Sequence, residues 1–196
     1  MIRAALIVSI LVPFAAHAAT ADITVRGADG RPLADAVVMI ESADRPAGPI
    51  RFAWPMVMSQ QDIAFAPHVL IVPVGATVAF PNHDRVRHHV YSVSKPKKFT
   101  INLYGRDETR TETFDKPGVV ALGCNIHDQM SGFIIVVDTP FAAKADADGH
   151  VHFTGVPDGA ATVKVWSPSL RMPGNQAVQR VTITGPSYAT TLTARR

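Results

Sequence analysis

Apolar residues along this chain come in short bursts. Runs rich in Val, Ile, Phe and Thr fall at Ile23–Val25, Val37–Glu41, Val69–Val74, Thr77–Phe80, His89–Val93, Lys98–Leu103 and Thr111–Phe114, and again at Val119–Leu122, Gly132–Val137, His150–Phe153, Thr162–Trp166, Val178–Thr184 and Tyr188–Leu192. Turn chemistry separates them at the spacing of about 8–12 residues typical of antiparallel strands. Asp29-Gly30, Val74-Gly75, Lys116-Pro117-Gly118, Asp148-Gly149 and Pro157-Asp158-Gly159 all favour tight turns, because Gly enters positive φ freely and Pro presets φ. No segment longer than a turn or two repeats at the helical period. The pattern predicts an all-β chain built as a sandwich.

The first residues read differently. Arg3 precedes the apolar run Ala4–Ala15 and the small-x-small pattern Ala16-His17-Ala18, which predicts a secretory signal peptide over residues 1–18 cut after Ala18. The run is too short for a spanning helix, which takes about 20 apolar residues, and no Cys follows the cut to carry a lipid. An exported, periplasmic protein with no membrane anchor is expected. The formal charge of +3 falls to +2 on losing Arg3. Basic residues are scattered except for Lys95-Pro96-Lys97-Lys98 and lack aromatic interleaving, so nucleic acid is not an expected partner.

The chain has one cysteine, Cys124. In an oxidising compartment a lone thiol is buried and inert, paired between chains, or protected by a metal. Its neighbours bear on that choice. Cys124, His127 and Met130 sit on one short loop between two apolar runs, in the spacing Cys-x2-His-x2-Met, and His88 stands 36 residues upstream at the head of another strand, after the Pro81–Arg87 loop. Two imidazoles, a thiolate and a weak axial thioether form the donor set of a blue copper site. His89 is a rival for His88. Strand alternation sends the two to opposite faces, so only one of them is expected to reach the Cys124 loop.

Residues 60–138 resemble a cupredoxin domain. Phe65–Gly75, the Phe80-Pro81-Asn82 turn, His88–Ser92 and Cys124–Met130 together are similar to the plastocyanin and amicyanin group, and most of all to bacterial plastocyanin-like proteins labelled methylamine utilization proteins. The resemblance implies a Greek-key sandwich with one type 1 copper ion on His88, Cys124, His127 and Met130, His127 and Met130 being spaced as in amicyanin. In that group an Asn usually follows the first ligand His and ties the ligand loops together. Here His89 takes its place, so the surroundings of the site are expected to differ.

The flanking segments resemble a carboxypeptidase-regulatory-like or transthyretin-like sandwich, whose opening at Ile23–Glu41 continues only at Ala142–Trp166. The expected organisation is a signal peptide (1–18), the first part of that sandwich with its connector (19–49), a cupredoxin-like copper-binding domain (60–138), and the second part of the companion sandwich (139–196). Residues 50–59 stay unplaced, with Met56 and Met58 read as packing residues. Isolated His68 and His83 are read as surface or turn residues. Asp146-Ala147-Asp148-Gly149 lacks the Gly position and the final Glu of a calcium loop and reads as a hairpin turn, and Asp107-Glu108 lacks a partner acid or base. Four protein ligands leave no open position for a substrate, so an enzyme is not expected. The expected function is transfer of single electrons between transient protein donors and acceptors by a monomer. The alternative is an accessory protein that holds copper or binds carbohydrate or protein.

Overall fold

The computed structural model describes residues 18–195; the signal-peptide assignment, apart from Ala18, lies outside the described residues. Sixteen strands and one 3₁₀ turn make up the described chain, and a strand stands at each of the predicted runs. No helix among these residues is long and apolar enough to cross a membrane.

The strands form four stacked layers. The first is a sheet in the order β13 (His150–Pro157), β1 (Ala18–Gly27), β16 (Ser187–Ala194); the second orders β12 (Ala142–Lys144), β2 (Val37–Ser42), β14 (Gly159–Trp166), β15 (Gln176–Ile183). The third has five strands, β5 (Val69–Pro73), β11 (Ser131–Val137), β10 (Gly118–Gly123), β7 (His88–Val93) and β8 (Lys98–Tyr104). All its pairs are antiparallel except β5 with β11. The fourth pairs β6 (Ala76–Pro81) with β9 (Thr109–Phe114), extended by the ribbon β3 (Ser59–Gln61) and β4 (Ala64–Ala66), whose Gln60 bridges to Asn82.

Burial explains the order of the layers. In β1 buried and more open residues alternate, so one face packs and the other meets water. In β2, β5 and β11 four consecutive residues are buried, the signature of a strand covered on both faces. Val38 and Ile40 of β2 pack with Ile23, Val25, Val163 and Val165. Val37 and Met39 turn the other way, onto Val69, Ile71, Ile135, Val137 and Trp166. The opposite face of the third layer packs Leu70, Val72, Val120, Ile134 and Val136 against Val78, Phe80, Phe114 and Met58. Unplaced residues 50–59 belong to this scheme: Phe52 stacks on Trp54 at 4.6 Å, the Trp54 indole donates to the Ile71 carbonyl at 2.8 Å, and Met58 is fully buried.

The Asp146–Gly149 turn is not a hairpin turn as expected. It carries the chain from β12 in the second layer to β13 in the first, strands that do not pair with each other. Asp146 Oδ1 accepts the amides of Asp148 and His150, and Gly149 sits at φ 79° with no room for a Cβ, which would meet the Val25 carbonyl at 2.4 Å.

Candidate metal centre

Strands β7 and β10 are neighbours in the third layer, paired at Gly123 and Tyr91. His88 is the first residue of β7 and Cys124 the first beyond β10, so the pairing brings the two to the same end of the sheet. The loop from Cys124 to Met130 then turns back into β11, closed by a hydrogen bond from the Met130 amide to the His127 carbonyl at 2.9 Å. Cys124 Sγ lies 3.7 Å from His127 Nδ1 and 4.0 Å from His88 Nδ1. All three donor atoms fall within 4.8 Å of one another. An ion bonded at about 2.0 Å to imidazole and about 2.3 Å to thiolate holds trigonal N and S donors about 3.7 Å apart, so the cluster fits one ion. Its donor set suits a type 1 copper site, and Met130 is buried in the same core cluster as Cys124.

The surroundings fix each group. His88 is fully buried, and its Nε2–H donates to Asp84 Oδ2 at 2.7 Å. That bond leaves the Nδ1 lone pair facing the thiol, the carboxylate–histidine arrangement that orients metal-ligating imidazoles. Asp84 is held in turn. The amides of Asp62 and Ile63 donate to its two oxygens at 2.7 and 3.0 Å, and its own amide donates to Asn82 Oδ1 at 2.9 Å. Burial pulls the Asp84 carboxyl upward, but the donors Ile63, His88 and Asp62 outweigh it and hold the group below the usual carboxylate value. Asn82, buried, also donates to the Val86 and Tyr104 carbonyls, so the Pro81–Arg87 loop is braced from inside. The sequence pointed to this loop without singling out Asp84. A carboxylate four residues ahead of a ligand-type His is the signal that could have found it.

His89 departs from the expectation that only one of the two histidines reaches the Cys124 loop. His88 faces the thiol, but His89 also contacts that loop, through its Nε2 and Asn125 Nδ2 at 3.4 Å. The reason is local geometry. The pairing of β7 with β8 shifts between His88 and Val90, and His89 is buried, with its Nε2 within reach of the Asn125 amide. His89 thus ties the start of β7 to the Cys124 loop. Beside it the Tyr91 ring lies over Gly123, where a Cβ would come within 2.8 Å of ring atoms.

Other candidates stand apart. His68 is exposed, its ring edge-on to Phe133, and His83 is exposed with its amide bonded to the Gln60 carbonyl. Met56 packs half-buried on the core that holds fully buried Met58. His127 itself is half-buried, flanked by exposed Asn125, Ile126 and Asp128. An apolar cavity of about 460 Å³ lined by Trp54, Val57, Val69, Ile71 and Lys144 shares no residue with the cluster.

No family model and no curated protein sequence matches the chain. Among solved structures it is similar to a copper-containing nitrite reductase from Thermus scotoductus SA-01, with 30% identity over 51% of this chain and 25% of that one and a TM-score of 0.41. It is similar to a purple cupredoxin from Nitrosopumilus maritimus, with 26% identity over 39% of this chain and 84% of that one and a TM-score of 0.36. A reduced amicyanin variant aligns at 21% identity over 51% of this chain and 98% of that one, with a TM-score of 0.39. The chain spans a quarter of the nitrite reductase's length.

Proposed function

We propose that the protein is a periplasmic electron carrier that holds one type 1 copper ion in a cupredoxin-like unit over residues 60–138. The observation that carries this is the meeting of the Cys124 thiol with the Nδ1 atoms of His88 and His127, all within 4.8 Å, at the end of two paired strands. In this reading Cys124 supplies the thiolate, His88 and His127 the equatorial imidazoles, and Met130 the weak axial donor. Copper bound there would accept and release one electron. The chain's own part is to keep the donors still. Asp84 and the braced loop hold the His88 ring, β10 holds Cys124, and the Met130 amide closes the loop on His127. Ligands that need not move between redox states lower the reorganisation that slows electron transfer.

Half-buried His127 is the proposed route for the electron, with exposed Ile126 and Val86 at 50% and 42% accessibility marking an apolar contact area nearby. A small patch of that kind suits brief encounters with protein donors and acceptors. Residues 19–49 and 139–196 are proposed to form a companion sandwich interrupted by the copper unit, a division supported by the strands that the first two layers draw from those segments. Export is proposed from the residues 1–18 pattern.

Copper loading of the purified mature protein tests the reading. An intense visible charge-transfer band and a narrow copper hyperfine splitting in EPR are expected, both lost in Cys124→Ser while far-UV circular dichroism is retained. A variant that keeps the band sinks the ligand assignment. Voltammetry of the loaded protein should give a reversible one-electron wave; tightly held copper without one would make this a copper-holding accessory protein.

A further inference from the structure

The outer face of the first layer carries a second group of imidazoles, remote in sequence from the cluster above. His150 and His152 alternate with buried Val151 on β13, an edge strand, so both side chains stand on the water-facing side. Same-face neighbours two residues apart on a strand are about 6.5–7 Å apart at Cα, a separation from which two imidazoles can lean onto one ion. Each ring is anchored to the neighbouring strand β1 at Nδ1. His152 Nδ1 lies 2.7 Å from Asp22 Oδ1 and His150 Nδ1 lies 3.0 Å from Thr24 Oγ1, and these are the directly paired residues of the ladder.

The anchors decide which nitrogen is available. A carboxylate only accepts, so His152 must carry its proton on Nδ1, which puts the lone pair on Nε2. The Thr24 hydroxyl accepts as readily as it donates, so His150 takes the same tautomer without losing its bond. Among the described residues neither Nε2 has a hydrogen-bond partner. Metal-ligating histidines are set up in this way, one nitrogen bound to a carboxylate or other acceptor and the other free for the ion. The rest of the face offers little competition. Thr20 and Arg26 flank the pair on β1, Ala189 and Thr191 face it from β16, and the Arg26 guanidinium is turned to the Gly30 carbonyl. Asp146 and Asp148 in the preceding turn add negative charge.

We infer that His150 and His152, oriented by Thr24 and Asp22, form a second, surface site for a divalent first-row transition ion, Cu²⁺ by preference, with water completing its coordination. Imidazole donors suit copper, nickel and zinc, and affinity rises to copper along the series. The inference does not depend on the proposed copper site at Cys124, and its test keeps the two apart.

Untagged mature protein is titrated with Cu²⁺ and followed by EPR. A second signal, with wider hyperfine splitting and superhyperfine lines from two nitrogens, is expected beyond any signal from Cys124, and it should persist in Cys124→Ser. His150→Gln and His152→Gln should each abolish it and leave the visible spectrum unchanged, and Asp22→Asn should weaken it about 10–100-fold, as loss of an orienting carboxylate does. In NMR of the wild type whose Cys124 site has first been filled with diamagnetic Cu⁺, added Ni²⁺ should broaden or shift the amides of residues 20–24 and 150–154 first, a readout that needs no variant. Binding of equal strength in the histidine variants, perturbations centred elsewhere, or no second equivalent at all would overturn the site and leave the two pairs as cross-strand hydrogen bonds only.

Discussion

At His88 the two ring nitrogens face different chemistry, the thiol on one side and the Asp84 carboxylate on the other, and that asymmetry has consequences for a bound ion. A carboxylate drawing on Nε2–H makes the imidazole a stronger donor at Nδ1. Asp84→Asn keeps an acceptor but removes the charge. Copper(II), the more demanding state, should lose more than copper(I), so affinity for Cu²⁺ falls about 10–100-fold and the reduction potential rises. Chelator competition and voltammetry read these two effects, and an unchanged or lower potential would show that Asp84 only braces the loop. The rival histidine gives a second contrast. His88→Gly should open a coordination position that added imidazole refills, restoring the colour, whereas His89→Asn should keep the colour, since Asn can still meet Asn125. Colour lost at position 89 and kept at 88 would reverse the assignment. The gathering of His88, Cys124 and His127 in the candidate site was legible in sequence because Cys124, His127 and Met130 share one loop and stand out by spacing. Asp84 was not, because its role exists only once the Asp62–Ile63 turn folds across it.

Among the elements, the shortest strands were the ones hidden from the sequence pattern. Strands β3, β4 and β12 have three residues each, too few to show alternation. The turn between β3 and β4 places Asp62 and Ile63 at φ 56° and 55° without any Gly to signal it, and the amides it exposes are those that Asp84 accepts. β12 is Ala-Ala-Lys, poor in strand-forming residues, and exists by pairing with Met39, Val38 and Val37. The ribbon is tied to the third layer through Tyr104, whose buried hydroxyl accepts from Gln60 Nε2 and donates to the Phe80 carbonyl at 2.9 Å. Burial pushes this phenol up to about 12, so it stays neutral and keeps both bonds throughout the physiological range. Tyr104→Phe leaves two buried polar groups without that partner and should cost about 1–3 kcal/mol in denaturant unfolding. A change near zero would mean that water or a repacked Gln60 takes over the hydroxyl's place.

The molecule as a whole depends on a junction between its second and third layers. Without it the chain would be two thin sandwiches, each with one long apolar face in water, and the unbroken runs Val37–Ile40, Val69–Val72 and Ile134–Val137 would have no explanation. The sequence showed those runs as strands but not what covers their second face, because a doubly buried strand carries no mark of its neighbour. Trp166 is central to the junction. It is the last residue of β14, almost fully buried, with its ring 5.0 Å from Phe133 of β11 and with Val37, Met39, Ile71 and Ile135 in the same cluster. Its immediate predecessor Val165 points into the other core, so the two residues join both halves through one strand. Trp166→Ala should cost about 3–5 kcal/mol, the usual range for a buried Trp or Phe. The loss falls on the contact between halves and not on either core. The copper band of the loaded protein should therefore keep its position in the variant at room temperature. Its thermal loss and the loss of far-UV circular dichroism, which should coincide in the wild type, should separate into two transitions in the variant. Unfolding that stays coincident and at the wild-type temperature would mean that the faces are not packed in solution.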